Sequence, residues 1–373
     1  MGPSLQLLHR SVLCDAKRDL PLHAQVRGAL RRLIEEHFED GEKFWTESAL
    51  IEHLGVSQGT VRRALLDLTQ EGLLQRQVAK GTFVQKTRTH ETPVVGIFVP
   101  AYDSALYTSM LDCFSASCAR DSRQMNVYHT HQGEKIAAAN RQVVNPPDVE
   151  RIVLLANPPE PTRELYESFH ERGYRTVNIG LPFRGYPGAY VGVDDKRGIR
   201  VGLDHLRDLG HRRIALLVNE PANNPAIVER VEAFSALCRE FGLAECEVAD
   251  CGTEFWESSY AAGYGKMEDL FGANRGGRPS PTAVFAVSDQ GAWGAQKWLM
   301  ERGFKIPDRV SVLGYDDVQP SQFMHPSLSS VAQPVGAIAE RALEVLWSRE
   351  DGPSRHLITP TLSARESTGP VHN

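Results

Sequence analysis

No stretch of this 373-residue chain approaches the roughly 18 to 20 uninterrupted apolar residues that span a bilayer. The first residues, MGPSLQLLHRSVLCDAKRD, lack a basic segment followed by a sustained apolar run, so no secretion signal is expected and the cytoplasm is the default location. Cysteine is scarce: Cys14, Cys113, Cys118, Cys238, Cys246 and Cys251 form no C-x-x-C pair and no zinc-ligand spacing, which makes them reduced, partly buried residues. His129 and His131 share a strand face but have no carboxylate or thiol partners that can be placed beside them, so no metal is expected. Nor does any lysine lie in a cofactor-binding context. Basic charge is lacking overall, with a net charge of -6, yet it is concentrated locally. Between Leu54 and His90 six basic residues (Arg62, Arg63, Arg76, Lys80, Lys86, Arg88) face two acids (Asp67, Glu71). Such an island is what a phosphate-contacting surface needs.

The periodicity of the first ninety residues predicts three helices and a hairpin. Val26, Leu30, Leu33, Ile34 and Phe38 recur at helical spacing between Pro21 and Asp40, and a break follows at Asp40-Gly41. Thr46 is a candidate N-cap for a second helix with Leu50, Ile51 and Leu54 inside. Ser57 is the next cap, opening a helix striped with Val61, Ala64, Leu65 and Leu68 that stops at Gly72. Short β segments, Leu73 to Arg76 and Thr82 to Val84, flank Lys80-Gly81. This is the pattern of a winged helix-turn-helix. The run Gly55-Val56-Ser57-Gln58-Gly59 also matches G-x-S-x-G, but a nucleophile elbow needs a buried strand before its serine, and the preceding LIEHL is helical. The match is fortuitous.

KTRTHETP, ending at Pro93, reads as an interdomain linker. Beyond it, short apolar runs (VVGIFVP, RIVLLA, RIALLV, TAVFAV, VSVLGY) alternate with helix-like segments such as GLDHLRDLGH and AWGAQKWLMERGF. Apolar strands alternating with helices indicate parallel sheets covered on both faces. The region is long for one such core, so two doubly wound lobes are expected. The division is then an N-terminal extension (1–18), a winged helix-turn-helix (19–85), a linker (86–92) and a two-lobed α/β domain (93–373).

Three ordered segments carry a resemblance. PLHAQVRGALRRLIEE, LGVSQGTVRRALLDLTQEGLLQR and KGTFV look like the GntR family of bacterial regulators, over about residues 19 to 85. A recognition helix must show short polar and basic residues at its N-terminal end to reach base edges, and must bury an apolar stripe to hold its angle in the groove. Ser57, Gln58, Gly59, Thr60, Arg62 and Arg63 meet the first need; Val61, Leu65 and Leu68 meet the second. Position assigns Gln58 and Arg62 to bases or phosphates, Thr46 and Ser57 to phosphates, and Lys80 with Gly81 to a wing tip at the backbone or minor groove. Three residues depart from the family: Ser48 after Glu47, Gln58 at the start of the recognition helix, and Trp45 in place of a proline. Glutamine favours adenine where arginine favours guanine, so the operator should differ accordingly.

From Pro93 to Gly369 the chain resembles the effector domain of LacI/GalR regulators, itself similar to type I periplasmic sugar-binding proteins. The resemblance rests on YVGVDDKRG…HLRDLGHRRIALL, PTAVFAVSDQGAWGA, IPDRVSVLGYDDV…HPSLSSVAQPV and LSARES. A GntR-type head on such a body resembles the arabinose-repressor group. The resemblance implies two lobes closing on a small sugar at the carboxyl ends of the strands. Carboxylates and an arginine would bind hydroxyls, and aromatic rings would stack on C–H faces. It assigns Arg230, Ser288, Asp289 and Asp316 as polar anchors, Tyr107 with Tyr102 and Asp103 on the first-lobe loop, and Phe255, Trp256 or Tyr260 as the stacking ring. Gly180 stands where many members have an aspartate. Asp195 is read as a helix cap rather than a ligand group, and the Gly/Pro-rich loop Ala273 to Pro281 has no phosphate-loop spacing.

The function these features imply is a DNA-binding transcriptional regulator, a repressor, working as a homodimer on a near-palindromic operator and controlled by a sugar-like effector, with no cofactor and no membrane partner. One recognition helix reads too few base pairs to find a site in a genome, hence the dimer. A GntR-headed enzyme fused to an aminotransferase-like body would need a cofactor lysine in its own context. A transport-type binding protein would need an export signal and would have no use for a DNA-reading head.

Overall fold

The computed structural model describes residues 21–77, 80–85, 93–100, 104–130, 149, 151–155, 159–180, 186, 188–243, 245–255, 257–272, 279–348 and 354–371. The N-terminal extension, the expected linker 86–92, Cys14 and His131 lie outside the described residues.

The head begins with helix α1, Leu22–His37, entered through Pro21. It ends three residues before the expected break because Phe38 turns to extended backbone and drives its ring into the core, 1% exposed. Gly41 then takes a left-handed conformation, φ 74°. Thr46 caps α2 (Glu47–Leu54) by accepting Ala49 N–H at 3.2 Å. Gly55 closes that helix in the left-handed region, and Ser57 caps α3 (Gln58–Gln70) by accepting Thr60 N–H at 3.2 Å. Val26, Leu30, Ile34, Leu50, Leu54, Val61 and Leu68 meet in one core. Two short strands, β1 (Leu74–Gln77) and β2 (Gly81–Val84), pair antiparallel as the wing, one residue displaced from the expected boundaries. Trp45, the departure from the family's proline, packs its ring edge-on to Phe38 at 4.9 Å.

The rest of the chain forms two six-stranded sheets. In chain order the strands are β3 Val94–Pro100, β4 Gln124–Thr130, β5 Arg151–Leu155, β6 Arg175–Ile179, β7 Ala189–Val193, β8 Ile214–Val218, β9 Glu247–Asp250, β10 Ala283–Ala286, β11 Ser311–Asp316, β12 Ser329–Ala332, β13 Arg355–Ile358 and β14 Thr361–Ser363. The first sheet runs β13-β7-β6-β5-β3-β4, all parallel. The second runs β14-β12-β11-β10-β8-β9, parallel except for the edge strand β14. Helices flank both sheets, so central strands such as β3 and β8 are buried along their whole length. The edge strand β4 is half polar, which is why its sequence carried no apolar run. The chain passes between lobes after β7, after β12 and after β13. These three passages bring the carboxyl ends of both sheets to one cleft. Among the described residues no helix is long and apolar enough to cross a membrane.

In the second lobe, helices Ser259–Phe271 and Asp289–Glu301 touch backbone to backbone. A Cβ on Gly263 would stand 2.5 Å from Gly291 O, and one on Gly294 would collide with Tyr260 O. A carbonyl in a helix cannot swing aside as a side chain can. Gly294→Ala is therefore expected to lower the stability of this lobe by about 1–3 kcal/mol, read from urea unfolding; an unchanged midpoint would refute the close approach.

Candidate functional site

Two sites stand out, one on the head and one in the cleft. On α3 the residues expected at DNA form an exposed N-terminal edge: Ser57, Gln58, Gly59, Arg62 and Arg63 are all exposed, and Thr60 is half-buried. Ser57 and Thr60 hydroxyls bond each other at 2.8 Å. The Thr46 and Ser57 oxygens also serve as caps, so these two residues hold the helix starts as well as facing outward. Gln58 donates through Nε2 to Glu47 Oε1 at 3.2 Å, and Arg62 Nε stands 3.9 Å from the same oxygen. Glu47 thus aligns two expected reading residues, a role invisible in sequence because an acid inside a basic patch has no periodic signature. Arg63 leans along the helix to Asp67 at 3.3 Å. Lys80 and Gly81 sit exposed at the wing tip, where Gly81 has φ 122°.

The cleft encloses a cavity of about 620 Å³, ample for a monosaccharide. The first lobe contributes Tyr107, Ile179, Gly180 and Val193, and the second contributes Glu220, Arg230, Phe255, Trp293 and Asp316, among others. At its floor lies Arg230, held on the helix Pro225–Glu240 and 5% exposed. Its Nε donates to Asp195 Oδ1 at 2.7 Å, its Nη1 donates to Val287 O at 2.6 Å, and Nη1 stands 3.9 Å from Asp316 Oδ1. The guanidinium lies 3.7 Å over the Tyr315 ring, whose hydroxyl donates to the same Asp195 oxygen at 3.0 Å. Burial alone would lower the arginine's pKa; Asp195, Tyr315 and Asp316 more than offset it, so the guanidinium stays charged.

Asp195 corrects an expectation. The helix Asp195–Asp208 is capped by Asp194, which accepts Arg197 N–H at 3.0 Å. Asp195 is instead buried at the cavity wall as the arginine's counter-ion. Asp289, expected as a ligand anchor, also behaves differently. It borders the cavity yet is 0% exposed, and both oxygens are taken: Ser330 Oγ donates to Oδ1 at 2.5 Å, while Ser321 Oγ (2.6 Å) and Val318 N–H (3.0 Å) donate to Oδ2. Burial pushes its carboxyl up to about 7, against the pull of those donors. It ties the loop after β11 to the helix that starts at Asp289. Asp316 does face the cavity: it accepts Gln333 Nε2 at 2.6 Å, and burial holds it well above the usual carboxylate range despite Arg230. Its φ of 116° is a strained conformation for a side-chain-bearing residue.

Ser288 lines the cavity but spends its hydroxyl on Glu220 Oε1 at 2.7 Å. Tyr107, Phe255 and Tyr260 line the cavity as expected; Tyr102, Asp103 and Trp256 lie outside the described residues. Gly180 takes φ 86° with nothing within 4 Å of a Cβ position, leaving open space where an aspartate is common. Among the lining residues that went unrecognised in the sequence are Glu220, just past β8, Trp293 and Gln333. Among the described residues no group of three or more His, Cys, Asp or Glu could hold a metal ion.

Residues 22–84 match the family described as bacterial regulatory proteins of the gntR family, and residues 203–368 match the periplasmic binding protein-like domain. The chain is a GntR-type head on a periplasmic-binding-protein-like body. Over 328 residues it is 23% identical to the ribose operon repressor of Escherichia coli, covering 86% of this chain and 96% of that protein. Over 345 residues it is 22% identical to the arabinose metabolism transcriptional repressor of Halalkalibacterium halodurans, covering 87% and 90%. The crystal structure of a LacI family transcriptional regulator from Enterococcus faecium with bound ribose has the same fold, with a TM-score of 0.61 at 21% identity over 75% of this chain and 100% of that one. Within the GntR head the exposed edge of α3 is the surface that faces outward, and within the body the Arg230 cluster lies at the carboxyl ends of β8, β10 and β11. That is where ligands bind in parallel α/β sheets.

Proposed function

We propose that this protein is a cytoplasmic transcriptional repressor that binds a near-palindromic operator as a homodimer and changes its operator affinity when a small sugar enters the cleft. The reading divides the chain into a DNA-binding domain (19–85), a linker (86–92) and an effector domain (93–373). The observation that carries it is the joining, in one polypeptide, of an exposed basic helix N-terminus and a cleft floored by Arg230, Asp195 and Asp316. The names of its relatives, repressors of ribose and arabinose genes, agree with it. No catalytic role is proposed.

The coupling is a difference in sugar affinity between two lobe arrangements, and such couplings are worth about 1–3 kcal/mol, or roughly 5- to 150-fold in affinity. The test is operator retention by the full chain with and without D-ribose, L-arabinose, D-galactose and D-glucose. At least one sugar should shift operator affinity by about tenfold or more. Affinity that no sugar alters would defeat the sensor half of the reading, while failure to retain any near-palindromic DNA selected from a random pool would defeat the head.

A further inference from the structure

The inner carboxylates of the cleft are of two kinds. Asp195 is neutralised by Arg230 at 2.7 Å, and Asp289 has both oxygens occupied. Glu220 and Asp316 border the cavity; Glu220 accepts from Ser288 and Ser259 and Asp316 from Gln333, fewer donors than the roughly four a carboxylate can take. The Asp316 side chain keeps 11% exposure after accepting Gln333.

Glu220 sits in a built cradle. Asn219 Nδ2 donates to Ser288 Oγ at 2.6 Å, and the Ser288 hydroxyl donates to Glu220 Oε1 at 2.7 Å. The Asn219 amide in turn lies on Gly291, where any Cβ would collide with it. Three neutral side chains, Asn219, Ser288 and Ser259, and a glycine are thus arranged so that one carboxylate is fixed at the cavity wall. Arg230 is the single cation among the described residues that line the cavity, and Asp195 already balances it.

A phosphoryl or carboxylate group on the ligand would exchange its water shell for this acid-rich wall. Wherever these carboxyls are ionised, a like charge brought against them without solvent is rejected by orders of magnitude. A sugar hydroxyl meets the opposite situation, because a buried carboxylate is a strong acceptor that needs a donor. We propose that Glu220 is a specificity determinant of the cleft: it accepts a hydroxyl of an uncharged sugar and excludes the phosphorylated form of the same sugar. Burial holds Glu220 above the ordinary carboxylate range, against the pull of Ser259, Ser288 and Arg230.

This inference rests on the sugar-effector reading above, and calorimetric titration of the full chain separates the two. The probes are three pairs: D-ribose and its 5-phosphate, D-galactose and its 1-phosphate, D-glucose and its 6-phosphate. A free sugar that binds should do so about 100-fold or more tightly than its phosphate. Glu220→Gln keeps the shape and removes the charge. It should weaken the free sugar and narrow the ratio to about tenfold or less. A purely structural role for Glu220 would weaken both members of a pair equally and leave the ratio unchanged, which overturns the proposal. A phosphate bound as tightly as its free sugar also overturns it while leaving the sugar reading intact. Silence of all three pairs overturns the sugar reading and this inference with it.

Discussion

Arg230→Met is expected to unfold the body at markedly lower urea and to abolish every response to sugar. Arg230 is 5% exposed, and its removal strands Asp195 as a buried charge that still accepts the Tyr315 hydroxyl. Deleting one partner of a buried ion pair costs about 3–5 kcal/mol, chiefly because the other charge is left without compensation. The same physics predicts a rescue. In Arg230→Met with Asp195→Asn no charge remains stranded, and the asparagine Oδ1 still accepts the Tyr315 hydroxyl. The double variant should recover most of the lost stability, yet remain blind to sugar because the cleft has lost its cation. The urea transition of the body, followed by circular dichroism, measures the first effect, and sugar-dependent thermal shift the second. A single variant within about 1 kcal/mol of the parent would show that the pair contributes no more than an exposed one does.

Arg62→Ala is expected to do the reverse, sparing the fold and damaging the DNA contact. Its side chain is 68% exposed and 3.9 Å from Glu47, a surface pair worth at most about 1 kcal/mol. A specific contact to a base or phosphate is worth about 1–3 kcal/mol, so operator affinity should fall by roughly 5- to 150-fold with an unchanged melting profile. The salt dependence assigns the contact. If Arg62 neutralises a phosphate, the slope of log affinity against log salt should become shallower by about 1; if it reads a base edge, discrimination at one operator position should relax instead. Arg63→Ala should be milder, because that side chain is drawn toward Asp67. Equal operator affinity for parent and Arg62→Ala would remove the recognition role from this edge of the helix.

The two variants also mark what could be read from the chain alone. The head was legible because its signals are local. Thr46 and Ser57 each cap a helix through an N–H three residues on, and Gly55 ends a helix by its own conformational freedom. The apolar stripe of α3 needs no partner to be recognised. Strands β3, β8 and β11 were legible for the same reason, as apolar runs that only a covered sheet accommodates. The polar edge strand β4 showed no apolar run, since one of its edges has no neighbouring strand, and was legible only as the strand face around His129.

The cleft behaved differently. Asp194 and Asp195 are chemically identical neighbours, and nothing within a few residues tells which one caps the helix. Arg230, 35 positions later, settles it by reaching Asp195. Asp289 has the sequence context of a ligand anchor, but donors 29, 32 and 41 residues away occupy its oxygens. Glu220 and Trp293 carry no spacing pattern at all. They matter because the ends of parallel strands and the helices that follow them converge on one cavity.

What the chain determined unaided was the kind of each element and the presence of two unlike parts, because periodicity, capping and turn formation are decided within a few residues. The roles of individual polar side chains in the cleft were decided only by the tertiary structure. A buried carboxylate is ligand-facing or structural according to which donors the fold brings within 3 Å, and those donors come from distant segments.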